Sequence, residues 1–521
     1  MRPRISSLLT RFVGLVALCG TDAFVVSQAA VAQPTRDVEL RAGAGLTIVG
    51  VRPLGAKPES RVSVAAGEGL PNPRPRISGF SPRIAVAASN KKRGPFDKFP
   101  YEHELESAYI GDPLVEGRSA DRTYVIGYLD SGADGDVVAG DNALALGLTG
   151  PHLTEHTIAI GGVGGQVDAF VTQPLGFFAA GLGAIDDSGR LDLTQMKGHS
   201  NVAGIVPPPI DCGNGESVTA IMGAGFMTFY NCVIRVDTLR TVTVNGQTIT
   251  GPDVQILEKH ELLPEFERAF SIEFGGFAML PAATVAFLFD FEDQVTPTSP
   301  SVFALIPGSL PTSGGYFRAV GLLEGEPGPI NPIQNFRMLV DTGAQASIIS
   351  PAVVADLSLP LEPDFTVEVC GVGGLVPDVP GYYIDFVQIS ASGGPLRYSS
   401  APFIVLDLPS PEGGGLDGIL GMNFFWDRNV IFEPVLNLSG FFHFSEPVGF
   451  AFADNNLDFD IDHDDSLAMI SCGTGPADVF SPDCIHFDAD EDNDVDLHDF
   501  ARLQICFSGL DLAAQPFCGI E

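Results

Sequence analysis

The sequence predicts an all-β protein of two similar lobes, followed by a small α-helical C-terminal module. Three observations carry this prediction. Short β-rich runs alternate with turn residues from about residue 101 to about residue 450, and one ordered set of three motifs occurs twice within that region. The last ~70 residues then become rich in Asp and Cys. A chain of 521 residues, 45% of them apolar, is long enough for several folded domains.

The N-terminal residues have the features of a secretory signal. Basic residues open the chain, a short apolar run follows, and Ala30-Val31-Ala32 forms a small-x-small cleavage site, so residues 1–32 are predicted to be a signal peptide. We therefore expect export to the extracellular space, the cell surface or the periplasm, where disulfides can form. The most apolar later stretch, residues 274–289, contains a proline and is too short for a membrane-spanning helix, so no transmembrane span is expected.

Residues 33–100 are predicted to be a basic, Pro/Gly-rich arm or pro-segment. Residues 33–98 hold 12 Lys and Arg against 5 acidic side chains, whereas the chain beyond residue 98 holds 13 basic and 59 acidic ones. So acidic a body repels nucleic acid, which excludes nucleic acid as a partner. The opposite charge of the arm raises the hypothesis that it regulates the acidic body, and an inert linker remains the alternative.

The repeated motifs indicate a tandem duplication. YLDSGADGDVVA (128–139) pairs with LVDTGAQASIIS (339–350), IGGVGG (160–165) with CGVGG (370–374), and AIMGAGFM (220–227) with GILGMNFF (418–425). The order is the same in both copies. We therefore predict a first lobe at residues 101–295 and a second lobe at residues 296–448.

An Asp-Ser/Thr-Gly sequence after an apolar strand places an Asp at a sharp turn, where the Gly lets another chain approach closely. Two such loops facing each other across a pseudo-twofold axis would bring two carboxylates to about 3 Å, where both cannot ionise at once. The ionised one can take a proton from a water, while the protonated one polarises a carbonyl. This chemistry needs no catalytic cofactor. A lone Asp-Ser/Thr-Gly is more often a simple turn, so the duplication carries the interpretation.

These motifs resemble those of aspartic peptidases, both the retropepsin-like branch and, as a fused pair of lobes, the pepsin-like one. The resemblance covers roughly residues 105–445. It implies a bilobal aspartic-peptidase double barrel, a protein or peptide substrate, and the following site residues: the catalytic pair Asp130 and Asp341; the loop-bracing Ser131, Gly132, Thr342 and Gly343; and the substrate and flap residues Asp134, Gly162, Val163, Gly164, Gly371, Val372 and Gly373.

Residues 452–521 contain two Asp-rich segments, 454–465 and 488–499, that align at a period of 34 residues. Each places oxygen ligands at positions 1, 3, 5, 7 and 12, which is the arrangement of a calcium-binding loop. The candidate metal ligands are Asp454, Asn456, Asp458, Asp460 and Asp465 in the first loop, and Asp488, Asp490, Asp492, Asp494 and Asp499 in the second. A disordered acidic tail is the alternative.

The paired loops and the short segments after them resemble dockerins, which are EF-hand-like. The resemblance implies structural Ca²⁺ in this module and a cohesin-like receptor as a partner. Position 6, normally Gly, is Phe459 in the first loop and Asn493 in the second, so we expect the second loop to bind Ca²⁺ more tightly.

The cysteines of the two C-terminal repeats keep the same period as the Asp-rich loops. Their spacing of 12 residues predicts the disulfides Cys472–Cys484 and Cys506–Cys518. Cys212 and Cys232 are then expected to pair, which would leave Cys370 free.

The function predicted from the sequence is that of a secreted aspartic endopeptidase. Two other hypotheses stay open. One is a non-catalytic peptide-binding or surface-attachment protein that keeps the two folds, and the other is an enzyme that cuts only its own arm or one partner.

Overall fold

The structure is a computed structural model, and it describes part of the chain. The described residues are 39–41, 46–53, 75–90, 113–133, 135–201, 203–206, 220–227, 229–263, 268–274, 315–318, 334–336, 338–357, 359–389, 391–393, 396–407, 417–435, 439–448, 452–455, 461–475, 484, 487–489, 494–509 and 518. The predicted signal peptide lies outside them.

The first lobe is built on one sheet of ten strands. In chain order these are β1 (Glu39–Arg41), β3 (Arg83–Ser89), β4 (Val125–Leu129), β5 (Asp136–Ala139), β6 (Leu153–Gly162), β7 (Gly165–Thr172), β8 (Leu175–Gly181), β9 (Lys197–Asn201), β10 (Ala203–Val206) and β11 (Ala220–Met222). Their order across the sheet is β1-β6-β7-β10-β5-β11-β4-β3-β8-β9.

The second lobe is built on a sheet of nine strands with a similar centre. They are β2 (Thr47–Pro53), β15 (Gly315–Arg318), β16 (Gln334–Phe336), β17 (Met338–Val340), β18 (Ile348–Ile349), β19 (Phe365–Gly371), β20 (Gly374–Ile389), β21 (Leu396–Val405) and β22 (Gly418–Leu420). Strand β22 lies between β17 and β18, as β11 lies between β4 and β5 in the first lobe. The duplication seen in the sequence is therefore also a duplication of strand order.

A third sheet joins the two lobes. Its strands are β12 (Tyr230–Val244), β13 (Gln247–Glu258), β14 (Phe270–Phe274), β23 (Val430–Val435) and β24 (Ser439–Phe444), in the order β13-β12-β23-β24-β14. Strand β12, which follows the first lobe, pairs antiparallel with β23, which follows the second, and Cys232 lies opposite Phe432. Side chains of both lobes and of this sheet share one apolar core, so the lobes are not independently buried units.

The α-helices are few and short in the described part of the chain. They are α1 (Gly140–Leu146), α2 (Ala224–Met227), α3 (Pro351–Asp356), α4 (His463–Cys472) and α5 (Leu497–Cys506). The prediction of a mostly β protein is confirmed. No helix among the described residues combines the length and the apolar character that crossing a membrane requires.

Part of the segment predicted to be an arm belongs to the first-lobe sheet. Strand β3 pairs antiparallel with both β4 and β8, and its residues 84–89 are buried. Its six buried residues are apolar or small, which suits the interior of a sheet. Pairing with a strand on each edge satisfies the hydrogen-bonding groups of its backbone. Strands β1 and β2 also come from the predicted arm, and they pair with the two lobes.

Residues 452–509 contain a small core of their own. It includes Phe452, Ile461, Phe487, Val495 and Leu503, all nearly fully buried. Helices α4 and α5 begin at the ends of the two Asp-rich segments, and the disulfides Cys472–Cys484 and Cys506–Cys518 are both present, so the predicted pairing is confirmed.

The expected pairing of Cys212 with Cys232 is wrong. Cys232 is a free thiol on β12, fully buried in the core between the lobes, and burial raises its pKa. Cys370, which was expected to be free, is disulfide-bonded, and its partner lies outside the described residues. The spacing of the cysteines does not show that β12 turns Cys232 into the interior.

Candidate active site

The two Asp residues leave their strands in the same way. Asp130 follows β4, which pairs parallel with β11, the strand before Gly223. Asp341 follows β17, which pairs parallel with β22, the strand before Gly421. The Asp130 N–H donates to the Met222 carbonyl at 3.0 Å, and the Asp341 N–H donates to the Leu420 carbonyl at 3.0 Å. Both residues are almost completely buried. Parallel pairing thus places each Asp at the end of its strand, at the start of a tight loop.

Ser131 and Thr342 tie the two loops to each other. The Ser131 hydroxyl donates to the Val340 carbonyl at 2.8 Å, and the Thr342 hydroxyl donates to the Leu129 carbonyl at 2.8 Å. Each hydroxyl also accepts the backbone N–H of the other residue, at 3.0 and 3.1 Å. The hydroxyl after each Asp therefore bonds to the opposite lobe, and four hydrogen bonds hold the loops in register.

Gly132 and Gly343 show how close the two carboxyl groups lie. A Cβ atom added to Gly132 would lie 2.7 Å from Oδ1 of Asp341, with the Cγ and Oδ2 atoms closer still. A Cβ on Gly343 would meet Asp130 in the same way, 2.7 Å from its Oδ1 atom. Each carboxyl group thus rests on the glycine of the opposite loop, where any side chain would displace it.

Within each carboxyl group the two oxygens have different surroundings. Oδ1 of Asp130 accepts the N–H groups of Gly132 at 2.8 Å and Ala133 at 3.0 Å. Oδ1 of Asp341 accepts the corresponding N–H groups of its own loop, at 2.8 and 3.1 Å. The Oδ2 atoms are buried and, among the described residues, accept no hydrogen bond from outside the pair. These are the two oxygens left to share a proton and to face a reactant.

Burial and mutual proximity hold a proton on this pair. Burial raises the pKa of Asp341 well above its ordinary value, and the charge of Asp130 raises it further. Burial also raises the pKa of Asp130, against the hydrogen bond from Asp341 and the backbone N–H groups of its loop, which lower it. The pair therefore shares one proton over a pH range in which an exposed Asp would be ionised.

The predicted flap residues lie at the tips of two β hairpins. Strands β6 and β7 meet at Gly162 and Gly165, with Val163 and Gly164 as the two-residue turn. Strands β19 and β20 meet at Gly371 and Gly374 in the same register, with Val372 and Gly373 between them. Gly165 and Gly374 have φ of +112° and +104°, a conformation that glycine adopts without strain.

The two hairpin tips contact each other. The Gly373 N–H donates to the Val163 carbonyl at 2.8 Å, and a Cβ atom on Gly164 would lie 2.7 Å from the Gly374 nitrogen. Val163 and Val372 are both buried at this contact. The two flaps of the structure are therefore closed on each other, tip to tip.

Position 134 of the first loop lies outside the described residues, so Asp134 cannot be placed. Its counterpart in the second loop, Gln345, contacts the chain that precedes β3. Its carbonyl accepts the Gly79 N–H at 2.8 Å, and its side-chain amide donates to the Ser81 hydroxyl at 2.9 Å. Gln345 thereby links the Asp loop of the second lobe to the segment that leads into β3 of the first lobe.

A buried polar cluster behind the first Asp loop was not identified from the sequence. Oδ1 of Asp136 accepts the Gly223 N–H at 3.0 Å, and Oδ2 contacts Nε2 of His199 at 2.6 Å and accepts the Asn201 amide at 2.9 Å. All three side chains are buried. A Cβ on Gly223 would lie 2.9 Å from the Ala133 carbonyl oxygen, so the cluster holds Gly223 close against the first Asp loop.

In the second lobe, the corresponding glycine is held by the neutral side chains of Ser347 and Asn423. The Ser347 hydroxyl accepts the Gly421 N–H at 2.9 Å and lies 2.7 Å from the Asn423 side-chain oxygen. Gly225 stands in the first lobe at the position of Asn423, so the missing side chain is replaced by His199 and Asn201 of β9. The aligned repeats could have indicated this difference between the lobes, because Asp136 aligns with Ser347 and Gly225 aligns with Asn423.

The C-terminal module repeats its carboxylate geometry at both loops. Oδ1 of Asp465 accepts the Asn455 N–H at 2.7 Å, and Oδ1 of Asp499 accepts the Ala489 N–H at 2.6 Å. Oxygens of Asp494, Asp496 and Asp499 lie within 4.8 Å of one another. Asp454 is buried and Asp488 is described, whereas the predicted ligands Asn456, Asp458, Asp460, Asp490 and Asp492 lie outside the described residues.

A match to a protein family supports the assignment of the second lobe. A family model described as aspartyl protease matches residues 327–424, which contain Asp341, the second flap and Gly421. Among solved structures, the chain is similar to the aspartic proteinase from Irpex lacteus, with 10% identity, a TM-score of 0.33, and coverage of 62% of this chain and 91% of that one. No curated protein matches the chain significantly.

Proposed function

We propose that this chain is an aspartic endopeptidase whose site is formed by both lobes. The observation that carries the proposal is the reciprocal packing of Asp130 on Gly343 and of Asp341 on Gly132, which brings two buried carboxyl groups together. The match of residues 327–424 to the aspartyl protease family supports the same function for the second lobe. A protein or peptide substrate follows from this family.

The geometry of the pair supports hydrolysis by an activated water. The ionised carboxylate takes a proton from a water molecule, whose oxygen attacks the carbonyl carbon of the substrate. The protonated carboxyl group donates its proton to the carbonyl oxygen, which gives a tetrahedral diol. The carboxyl group that now holds the proton donates it to the amide nitrogen, and the C–N bond breaks. The other carboxylate takes a proton from one diol hydroxyl as the new C=O forms, so the pair again holds one proton. The four backbone N–H groups on the Oδ1 atoms keep both carboxyl groups in place through these steps.

We test this function with Asp130→Asn and Asp341→Asn. Each replacement keeps the shape of the side chain but prevents it from ionising, so we expect peptide cleavage to fall by about 10²–10⁴-fold or more. A quenched peptide library measures the rate, and circular dichroism checks the fold. Asp187→Asn, at an exposed turn, is the matched control and should retain the wild-type rate.

Either folded dyad variant keeping the wild-type rate would contradict the assignment. A statine-type transition-state analogue should inhibit the wild type. If peptides bind but neither the wild type nor any variant cleaves them, the chain is instead a peptide-binding protein that keeps the peptidase fold.

We further propose that the C-terminal module binds structural Ca²⁺ as a dockerin-like pair of loops. The described donors fit the ion, because they are carboxylate oxygens, and Asp494 and Asp499 are buried close together, where their negative charges repel unless a cation neutralises them. Asp454 and Asp465 are the described donors of the first loop. Bound Ca²⁺ would supply this neutralisation and no catalytic step.

Two further proposals concern a protein receptor for the module and the export of the chain. Helices α4 and α5 expose the apolar side chains of Leu467, Ile470, Leu497 and Ile505, which a cohesin-like protein receptor would bury. The N-terminal sequence motif supports export of the protein to the cell surface, the periplasm or the extracellular space. Two disulfides in the module fit such a compartment.

A further inference from the structure

The sheet that joins the two lobes carries a polar cluster with no part in the peptidase mechanism. Ser271 of β14 lies directly opposite His443 of β24, and Glu433 of β23 lies opposite Phe441, two residues before His443. Successive side chains of a strand point to opposite faces of the sheet. The neighbouring side chains of the same strands, which point into the shared core, are Ile272, Phe432 and Phe442. The register of the three strands therefore brings Ser271, His443 and Glu433 together on the face opposite to that core.

The three side chains form a hydrogen-bonded series. The Ser271 Oγ atom lies 2.7 Å from Nδ1 of His443, and Nε2 of the same imidazole lies 2.8 Å from Oε2 of Glu433. An ionised carboxylate can only accept a hydrogen bond, so the imidazole proton belongs on Nε2, which leaves Nδ1 to accept the Ser271 hydroxyl. Hydroxyl, imidazole and carboxylate thus stand in the order of a nucleophile, its base and the group that orients the base.

The surroundings hold the imidazole in this orientation. The Phe441 ring stacks on that of His443, with 5.5 Å between the ring centroids and 21° between the planes. The Arg268 guanidinium lies 3.3 Å from Oε2 of Glu433 and favours the ionised form of that carboxyl group. His443 is buried, whereas Ser271 and Glu433 are partly exposed. The base is therefore shielded, while the serine at its outer end keeps part of its surface open to solvent.

The imidazole is held in the form that can accept a proton. Burial lowers the pKa of His443 below its ordinary value, against the hydrogen bond to Glu433, which raises it, and the charge of Arg268 lowers it further. The ring is accordingly uncharged in neutral solution. An uncharged imidazole can take the proton of a hydroxyl group that attacks a carbonyl carbon.

We propose that Ser271 is an activated nucleophile, with His443 as its base and Glu433 as the group that orients the base, and that this second site takes acyl groups from activated esters. The substrate class follows from the backbone. The Ser271 N–H donates to the Ser392 carbonyl at 2.9 Å, so it is not available to stabilise an oxyanion. An ester with a good leaving group needs less of this stabilisation than a peptide bond does. The site is independent of the Asp pair and of the proposed peptidase function.

The acyl transfer balances without a further reactant. Nδ1 of His443 takes the hydroxyl proton as Oγ of Ser271 bonds to the acyl carbon, and Glu433 stabilises the imidazolium that forms. The imidazolium gives this proton to the leaving alkoxide, the C–O bond of the ester breaks, and the serine carries the acyl group. A water deprotonated by the same imidazole then attacks the acyl carbon. The serine oxygen leaves and takes the proton back, which releases the carboxylic acid.

A fluorophosphonate probe and p-nitrophenyl acetate, each added to the full chain, test the proposal. Mass spectrometry of the digested protein maps the modified serines and gives the rate at each. Ser188 is a control within the same molecule, because its exposed hydroxyl lies 2.7 Å from Oδ1 of Asp186 and no imidazole contacts it among the described residues. We expect Ser271 to be modified at least about 100-fold faster than Ser188.

Three variants separate an activated serine from a merely accessible one. Ser271→Ala should remove the modified peptide. His443→Gln should slow modification of Ser271 by about 100-fold or more, and Glu433→Gln by about tenfold, because it removes the charge that stabilises the imidazolium. His260→Gln, at an exposed turn, is the matched control and should keep the wild-type rate. Circular dichroism checks the fold, and if His443→Gln does not fold, the rate in Glu433→Gln decides.

Modification of Ser271 no faster than that of Ser188 would overturn the proposal. Equal rates at Ser271 in the wild type, His443→Gln and Glu433→Gln would also overturn it and would leave the cluster as cross-strand packing of polar side chains. A statine-type analogue directed at the Asp pair should not change the rate at Ser271. Failure of the second site and failure of the proposed peptidase function are thus distinguishable.

Discussion

At the scale of single residues, the site depends on what surrounds each carboxyl group rather than on the presence of Asp alone. Ala133 and Ala344 each give a backbone N–H to an Oδ1 atom, and their methyl groups supply no further donor. A hydroxyl at these positions would stabilise the charged form of the carboxyl group and lower its pKa. Without it, burial dominates and the pKa of Asp341 stays well above its ordinary value.

This leads to a prediction about pH. The raised pKa means that the folded state holds a proton that the unfolded chain releases at its lower pKa, near ~3.9. The stability that this group contributes is therefore complete below that pH and is lost as pH rises through the folded pKa. Asp341→Asn cannot ionise, so its free energy of unfolding should fall less than that of the wild type between pH 4 and pH 7.

Chemical denaturation at the two pH values measures this difference, with Asp187→Asn as the control. A parallel decline in the wild type and Asp341→Asn would show that Asp341 does not hold a proton in the folded state. The same argument predicts an optimum for peptide cleavage in mildly acidic rather than strongly acidic solution, because the pair must lose one proton to act.

At the scale of secondary structure elements, the two lobes support their Asp loops differently. Strand β9 brings His199 and Asn201 to Asp136 in the first lobe, whereas Ser347 and Asn423 meet in the second. The chain between the first flap and β11 supplies β8, β9 and β10, three strands of the first-lobe sheet. Its function is to complete the sheet and to brace the strand at Gly223.

We predict that His199→Leu destabilises the protein by about 2–3 kcal/mol, because it removes a short hydrogen bond from a buried carboxylate. Cleavage should also slow, through kcat more than KM, because the brace positions the loop and does not contact the substrate. Urea denaturation and steady-state kinetics measure both effects. His260→Leu, at an exposed turn, is the control.

The double variant Asp136→Asn with His199→Leu measures how much of the stability comes from the interaction between these two side chains. If the two residues act together, the loss in the double variant is smaller than the sum of the single losses. Strict additivity of the two losses would show that His199 contributes only by filling space.

At the scale of the whole molecule, the two lobes share one core, whereas the C-terminal module has a core of its own. The lobes depend on each other, because the loop hydroxyls cross between them and β12 pairs with β23. The C-terminal module instead has its own core and two disulfides of its own. A disturbance of the module is therefore not transmitted through shared core side chains to the two Asp loops.

We accordingly predict that removal of Ca²⁺ by a chelator unfolds the module without reducing peptide cleavage. The Asp clusters repel one another once the ion is gone, and so small a core does not offset this repulsion. Calorimetric titration of the full chain, with Asp465→Ala and Asp499→Ala, assigns the heat to each loop, and we expect the second loop to bind more tightly. Absence of a Ca²⁺ heat in the wild type would leave the segments as solvated acidic loops.

Sequence and structure agree best where the information is local or repeated. The paired motifs locate Asp130, Asp341 and both hairpin tips, since each motif sets its own turn and its own strand end. The pairing of β1 and β2 with the flaps is not predictable in this way, because it joins segments more than a hundred residues apart that share no motif. Cys232 is misassigned for a similar reason: only the strand pairing shows that it faces the core.

The unequal halves have a consequence for the orientation in which a peptide can lie. A groove made of two identical halves binds a peptide equally well in either chain direction, because rotation by half a turn restores the same surroundings. Here one half carries Gly161 where the other carries Cys370, so the two halves offer different surroundings. Reversal of a bound peptide would exchange these surroundings. For the proposed peptidase, we therefore expect the groove to distinguish the amino end of a peptide from its carboxyl end.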